Sequence, residues 1–271
     1  MDFFISSVTD KGTKKSVNQD CVFAERFDTP AGRVAFAVLC DGMGGLKYGE
    51  VASTLLVAAF ANWAYSALPA LACAPIEDHI IRREWTALVS RLNTQIRQYG
   101  SQRGCTAGTT VTALLLTRSR YFILNIGDSR AYEIGAAVKQ LTDDHTVAAN
   151  EIRRGSMTPK QAAQAPMKNV LTRCVGVEES VSPDYFFGTP RKNSVYMLCS
   201  DGFRHCVTAG ELHEFLLAKN SSDPERMKLQ AEALVQLNKQ RGETDNISVI
   251  TIFVKYTLHL TRRTYKESFL G

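Results

Sequence analysis

The feature that most constrains this chain is the apolar run Val34-Ala35-Phe36-Ala37-Val38-Leu39-Cys40, which ends in Asp41-Gly42-Met43-Gly44-Gly45. Seven apolar residues without a charge suit a strand covered on both faces. The run delivers one carboxylate to a turn too rich in glycine to carry other bulky groups, leaving backbone open to a ligand. A helix-prone stretch rich in Ala, Leu and Val follows from Gly49. The layout recurs as Ser200-Asp201-Gly202 after Val195-Tyr196-Met197-Leu198-Cys199, and as Thr244-Asp245-Asn246 before Ile247-Ser248-Val249-Ile250.

The elements come in blocks. The first third reads strand, turn, strand, then two helices. Val51 to Ile76 carries no charged residue and is long enough to span a bilayer. Its Ser53, Thr54, Asn62, Ser66 and Pro69, and its position just after an acidic turn, instead predict a buried helix, apolar nearly all round. Helical spacing from Ile80 through Trp85, Leu88, Leu92 and Ile96 predicts an amphipathic helix over 77–99. Strands are predicted at 110–116 and 121–126, joined as a hairpin, with 131–134 continuing the meander. Residues 143–168 turn polar and helix-prone, an excursion from the sheet. Strands resume at 181–187 and 194–199, helices follow near 210–218 and 223–240, and a last strand spans 246–254. Blocks of strands and helices without strict βαβ alternation favour an α+β fold with antiparallel sheet and helices packed outside.

Bulk properties exclude several classes. Net charge is +5, and no basic run interleaved with aromatics points to nucleic acid. The seven cysteines are odd in number and lack a repeated C-x-x-C pair, and several lie in apolar runs where Cys acts as a small hydrophobe. A reducing, cytoplasmic setting is expected. The N-terminal Met1-Asp2-Phe3-Phe4 lacks the basic start and apolar core of a signal peptide. The tail 257–271 is expected to be flexible.

Asp20, Asp41, Asp128, Asp201 and Asp245 all lie at predicted strand ends. A folded sheet could gather such ends along one edge, where clustered carboxylates repel unless cations neutralise them. Aspartate oxygens with backbone carbonyls suit Mg²⁺ or Mn²⁺, and five histidines without paired spacing argue against a His-based zinc site. Taken singly, each Asp could as well cap a turn or a helix.

The ordered set Gly12-Thr13-Lys14-Lys15-Ser16-Val17-Asn18-Gln19-Asp20, Asp41-Gly42-Met43-Gly44-Gly45 with Gly49-Glu50-Val51-Ala52-Ser53, Gly108-Thr109-Thr110, Gly127-Asp128-Ser129-Arg130, Leu141-Thr142-Asp143-Asp144-His145, Leu171-Thr172-Arg173-Cys174-Val175-Gly176, Ser200-Asp201-Gly202 and Gly242-Glu243-Thr244-Asp245-Asn246 resembles the metal-dependent (PPM, type 2C) serine/threonine protein phosphatases, bacterial branch. The resemblance covers residues 3–254. It implies one domain, 1–256, with a central antiparallel β-sandwich flanked on both sides by helices (αββα layers) and a flap over 143–175. It implies two Mn²⁺ or Mg²⁺ ions. Asp41 would bridge them, Asp201 and Asp245 would hold the first, and the Gly42 carbonyl the second, with Asp20 and Gln19 acting through water. Asp128, with Asp201, matches a third ion found in bacterial members. Asn246 would order the metal ligands. Asp41, Asp201 and Asp245 would thus carry catalysis.

Two positions depart from the family pattern. Lys15 stands where an Arg usually clamps the substrate phosphate, and Lys supplies charge without the bidentate fork. Met43 stands where many relatives place a proton-donating His, as is common in bacterial members; His145 is another candidate donor, better suited to ordering the start of the flap. The implied partners are phosphorylated proteins, including an autophosphorylated Ser/Thr kinase, with no nucleic acid, no membrane span and a monomeric state. A non-catalytic phosphoprotein-binding relative and a small-metabolite phosphatase are the alternatives.

Overall fold

The computed structural model describes residues 1–43, 46–217 and 223–256. The tail 257–271 lies outside the described residues, as do Gly44 and Gly45 of the acidic turn. The strands are β1 (Asp2–Asp10), β2 (Asp20–Thr29), β3 (Gly32–Asp41), β4 (Val111–Leu116), β5 (Tyr121–Ile126), β6 (Arg130–Ile134), β7 (Val138–Gln140), β8 (Asp184–Gly188), β9 (Val195–Cys199) and β10 (Ile247–Lys255). The helices are α1 (Gly49–Ser66), α2 (Leu68–Leu71), α3 (Asp78–Ser101), α4 (Val147–Arg153), α5 (Pro159–Gln164), α6 (Asp201–Arg204), α7 (Ala209–Leu216) and α8 (Pro224–Gln240).

Two antiparallel sheets result, one ordered β1-β10-β9-β6-β7 and the other β2-β3-β4-β5-β8. The apolar strands earn their place by burying both faces. Along β3, Ala35, Ala37 and Leu39 point into the space between the sheets, and meet Leu114, Leu198, Ile250 and Ile252 there. Val34, Phe36, Val38 and Cys40 point the other way, onto α1 and α3. The second sheet repeats the pattern, with Met197, Cys199 and Val249 packed under α7 and α8. Each fully buried large side chain contributes about 1.5–3 kcal/mol. The layering is αββα, as the sequence predicts.

Three details differ from the sequence reading. The first third holds three strands, not two. The uncharged segment is not one helix buried all round: it breaks into α1 and α2, and α1 buries one face, Ala52, Ser53, Leu56, Val57, Phe60, Trp63 and Ala64, while Leu55 and Tyr65 face outward. Alanine and threonine fill much of the rest of the outer face, so composition hides an ordinary one-sided helix. Among the described residues no helix is long and apolar enough to cross a membrane. Finally, β6 does not continue the β4–β5 meander. Gly127, at a φ of 105°, turns the chain into the opposite sheet, where β6 pairs with β9 and β7. A side chain at Gly127 would strike Thr110. All seven cysteines are free thiols.

The polar segment after β7 leaves the sheets as α4 and α5 and returns through a β-bridge between Thr146 and Leu171. The Thr146 and Thr158 side chains cap these helices.

Candidate metal centre

The period-two alternation that builds the core also builds the site. Asp41 continues the inward stripe Ala35-Ala37-Leu39 to the end of β3, and Asp20 lies directly opposite it at the start of β2. The inner layer changes character toward this end. Leu114 and Leu116 give way to Thr112, which donates to Asn125 Oδ1 at 2.7 Å, and to Thr110, paired with the Ser129 hydroxyl at 2.9 Å. The sandwich therefore opens at one mouth lined by hydroxyls and then by carboxylates.

The backbone of Asp41 is fixed from several sides. Its N–H donates to Thr110 Oγ1 at 2.9 Å, and its carbonyl accepts from the Thr110 N–H at 2.8 Å and from the Thr109 hydroxyl at 2.9 Å. Gly108 and Thr109 thus act through packing, with the Gly108 carbonyl receiving the Met43 N–H at 3.0 Å. Gly42 donates to the Gln19 carbonyl at 3.1 Å and lies against Gly49, so closely that a Cβ on Gly42 would sit 2.5 Å from the Gly49 carbonyl. The turn needs glycine here for close approach of backbone to backbone.

The second pair of acids meets the first from the other sheet. Asp201 opens α6, one residue after Ser200, whose N–H donates to the Ser248 carbonyl at 3.0 Å. A Cβ on Gly202 would lie 2.2 Å from the Asn246 carbonyl oxygen, so the Asp201 and Asp245 turns are packed together. Glu243, whose motif the sequence displays but whose role it conceals, accepts the N–H groups of Thr244 and Asp245 at 2.7 and 2.9 Å. Asn246 holds both neighbouring acids, its N–H donating to Asp245 Oδ1 at 2.8 Å. Its amide donates to the carbonyls of Lys11 and Val17, and its oxygen accepts the Gln19 N–H at 2.9 Å. It holds the Lys11–Gln19 loop that leads into Asp20. The Gln19 side chain reaches Glu50 at 3.3 Å.

Electrostatically, these acids are in excess. Burial, Asp201 and Asp245 push the Asp20 carboxyl up to about 7, against a weaker pull from the nearby Ser248 and Ser200 hydroxyls, neither of which reaches hydrogen-bonding geometry with it. Both Asp20 carboxylate oxygens are buried and lack a hydrogen-bond partner. Asp41 is raised well above the usual carboxylate range by burial and by Asp20, Asp201, Asp128 and Asp245. Lys15 lies 2.7 Å from Asp245 Oδ1, so its ammonium faces the acids, and Lys14 is exposed. Asp245 and the nearby Asp41 and Asp201 hold the Lys15 pKa up despite burial. Among the described residues no three His, Cys, Asp or Glu side chains converge on one point; the acids line the mouth without closing on each other. The orphaned oxygens of Asp20, and three further acids with Lys15 as their shared lysine, fit divalent cations bound by oxygen ligands.

Asp128 is placed differently. It lies on the flap side of the mouth, pushed up to about 7 by burial and Asp201, and it already faces the Arg204 guanidinium at 3.3 Å. The third-ion expectation for Asp128 therefore meets a resident cation. Arg204 went unnoticed in the sequence; its signal is a basic residue three positions after Asp201 on the same turn. His145 is buried, with its Nδ1 accepting the Gly127 N–H at 3.1 Å and its Nε2 on Asp184 at 2.9 Å. It ties the start of the excursion to β8, the ordering role expected of it. Beside α4 and α5 lies a cavity of about 580 Å³, lined by Asp128, Arg130, Asp144, Arg153, Arg204 and His205 among others. Lys168, near its rim, donates to the Ala163 carbonyl.

Comparison with known proteins agrees with this geometry. A family model described as protein phosphatase 2C matches residues 10–234. The chain is similar to the serine/threonine phosphatase stp of Listeria welshimeri, at 30% identity over 249 residues that cover 90% of this chain and 93% of the relative. It resembles the crystal structure of the serine/threonine phosphatase Stp1 from Staphylococcus aureus with a TM-score of 0.81, at 27% identity, covering 94% of this chain and 96% of that one. It also resembles the catalytic domain of the serine/threonine protein phosphatase PstP, solved in complex with two manganese ions, with a TM-score of 0.75, 28% identity, and coverage of 94% and 99%.

Proposed function

This chain belongs to the protein phosphatase 2C family, and we infer that it is a metal-dependent serine/threonine protein phosphatase acting on phosphoserine and phosphothreonine in proteins. The observation that carries the reading is the set Asp20, Asp41, Asp201 and Asp245 at one mouth of the sandwich, with Asp20 and Asp41 raised by burial and by their acidic neighbours and Lys15 paired with Asp245. Asp41, Asp201 and Asp245, with Asp20 and the Gly42 carbonyl, would hold two ions, Mn²⁺ or Mg²⁺. When bound, such a pair lowers the pKa of water from about 15.7 toward neutrality and offsets charge on the phosphoryl oxygens during in-line hydrolysis.

The chain's own residues set the rest. The hydrogen bonds on the Asp41 backbone keep its carboxylate at a fixed depth, so positioning is prepaid in the fold. Lys15 at the rim gives a substrate phosphate one point charge, without the two-pronged grip of arginine. Met43 carries no proton to give, and His145 is turned inward between Gly127 and Asp184, so neither donates to the leaving alkoxide. Arg153 on α4 and Arg173 give the excursion over 143–175, read as a flap, a positive rim for acidic phosphopeptides.

Substrates in this reading are cytoplasmic phosphoproteins in a signalling circuit, including the autophosphorylated form of a Ser/Thr kinase, met by a monomer. A non-catalytic binding role would not require four retained acids in a costly buried group. The test is phosphate release from a phosphothreonine peptide by purified protein with Mn²⁺. We expect turnover that chelator abolishes. Mn²⁺-loaded, folded protein that releases no phosphate from any phosphopeptide would sink the reading.

A further inference from the structure

The acids at the mouth of the sandwich divide by charge balance. Lys15 pairs with Asp245 at 2.7 Å, with Asp41 and Asp201 near enough to act on it, and both Asp20 carboxylate oxygens lack a hydrogen-bond partner. On the flap side each carboxylate meets a guanidinium. Arg204 Nη2 is 3.3 Å from Asp128 Oδ2, 3.2 Å from the Asp128 carbonyl oxygen and 3.7 Å from Asp144 Oδ2. Arg130 grips Asp144 through two parallel bonds of 2.8 and 2.7 Å.

Arg204 is delivered by the same short turn, α6, that presents Asp201. That turn is fixed by the contact of Gly202 with Asn246, which sets where the Arg204 side chain begins. The Arg204 side chain is 15% exposed and that of Asp128 7%, which leaves little water to screen the pair. A guanidinium stays charged at any accessible pH. A divalent ion at Asp128 would have to displace a resident cation or sit beside one; of the two acids close by, Asp144 is already held by two arginines, and Asp201 is shared with the two-ion set.

We propose that Arg204 is a built-in cation at Asp128 that takes the place of a third metal ion, so that the centre of this chain is complete with two. The inference rests on the two-ion reading above. Arg204 acts as a positioning residue, holding Asp128 and the root of the excursion in place whether or not metal is plentiful. Metal dependence then has a single saturable phase, without a weak later one.

Native mass spectrometry and calorimetric titration of the full chain with Mn²⁺ test this, with circular dichroism to confirm folding. Wild type should bind two ions. Asp128→Asn should still bind two, with unchanged affinity, because its carboxylate is not a ligand. Arg204→Ala and the milder Arg204→Gln should gain a third, weaker ion. Adding Asp128→Asn to either should return the count to two. Wild type that binds three ions and loses one in Asp128→Asn would overturn the proposal. So would Arg204 variants that fold yet stay at two. Protein that binds no Mn²⁺ would overturn the two-ion reading and this inference together, an outcome distinct from the three-ion result.

Discussion

The two sides of the sandwich mouth hold their acids on different terms. On one side Asp20 and Asp41 are held against their own repulsion, with raised pKa values and unpartnered oxygens on Asp20. On the other, Asp144 and Asp184 face Arg130 and Arg173 at 2.7 Å each, and Asp128, itself pushed up to about 7 by burial and Asp201, faces Arg204 at 3.3 Å. The first arrangement is destabilising until a cation arrives and is worth keeping only for what the cation does. The second is self-sufficient and anchors structure. Burial and acidity alone therefore do not mark a metal ligand; the balance of the neighbouring charges does.

Substitutions on the two sides should move stability in opposite directions. Asp41→Asn is the largest test. It should lower phosphatase activity by more than about 100-fold, since loss of a group merely supporting a ligand already costs 10–100-fold. The same change should raise the melting temperature of the metal-free protein at pH 7.5. The sign follows from linkage. Between the ordinary carboxylate range and its raised value, the folded Asp41 holds a proton that the unfolded chain releases, so metal-free stability falls as pH rises through that window. Removing the charge removes the penalty, a gain of stability at the expense of function. A metal-free melting point that drops would break the comparison.

Asp144→Asn probes the matched side and should be about 1–3 kcal/mol less stable, with or without Mn²⁺, because Arg130 loses both charged bonds in a largely buried place. Thermal melts at two Mn²⁺ concentrations check it. A variant as stable as wild type would mean that the flap-side pairs anchor nothing.

The contrast explains what was legible in the sequence. Asp41, Asp201 and Asp245 stood out as candidates because each sits in a local pattern, an acid in a turn at the end of an apolar strand for Asp41 and Asp201 and at the start of one for Asp245, and the family resemblance gave them their proposed roles. The αββα sandwich likewise came from the family resemblance, while antiparallel sheet with helices packed outside was readable from local pattern, through apolar strands such as β3 and the spacing of α3. The matched pairs were not. Asp128 and Arg204 are 76 residues apart, and only the crossing of β6 into the second sheet brings them together. That crossing depends on one glycine at φ 105°, which reads in the sequence as an ordinary turn. The outward faces of α1 were equally hidden, because its exposed positions are filled by residues as apolar as its buried ones.

The smallest effect lies at His145, where the matched side meets the excursion. Burial lowers its pKa, with Arg173 and Arg153 adding to the shift and Asp184 opposing it. The ring is neutral in the fold, accepting the Gly127 N–H at Nδ1. The unfolded chain therefore binds more protons in the window below the ordinary histidine value, and stability rises with pH across it. The contribution is present above about pH 6.5 and is lost as pH falls through the lowered value. His145→Gln keeps an acceptor near Gly127 but does not titrate. It should cost on the order of 1 kcal/mol at pH 8 and less at pH 5.5. The quantity to measure is the difference in melting temperature between wild type and variant, taken with saturating Mn²⁺, so that the metal-centre acids cancel. A difference that stays constant from pH 8 to pH 5.5 would place His145 outside the charge-matched network and leave Arg173 and Asp184 to hold the excursion without it.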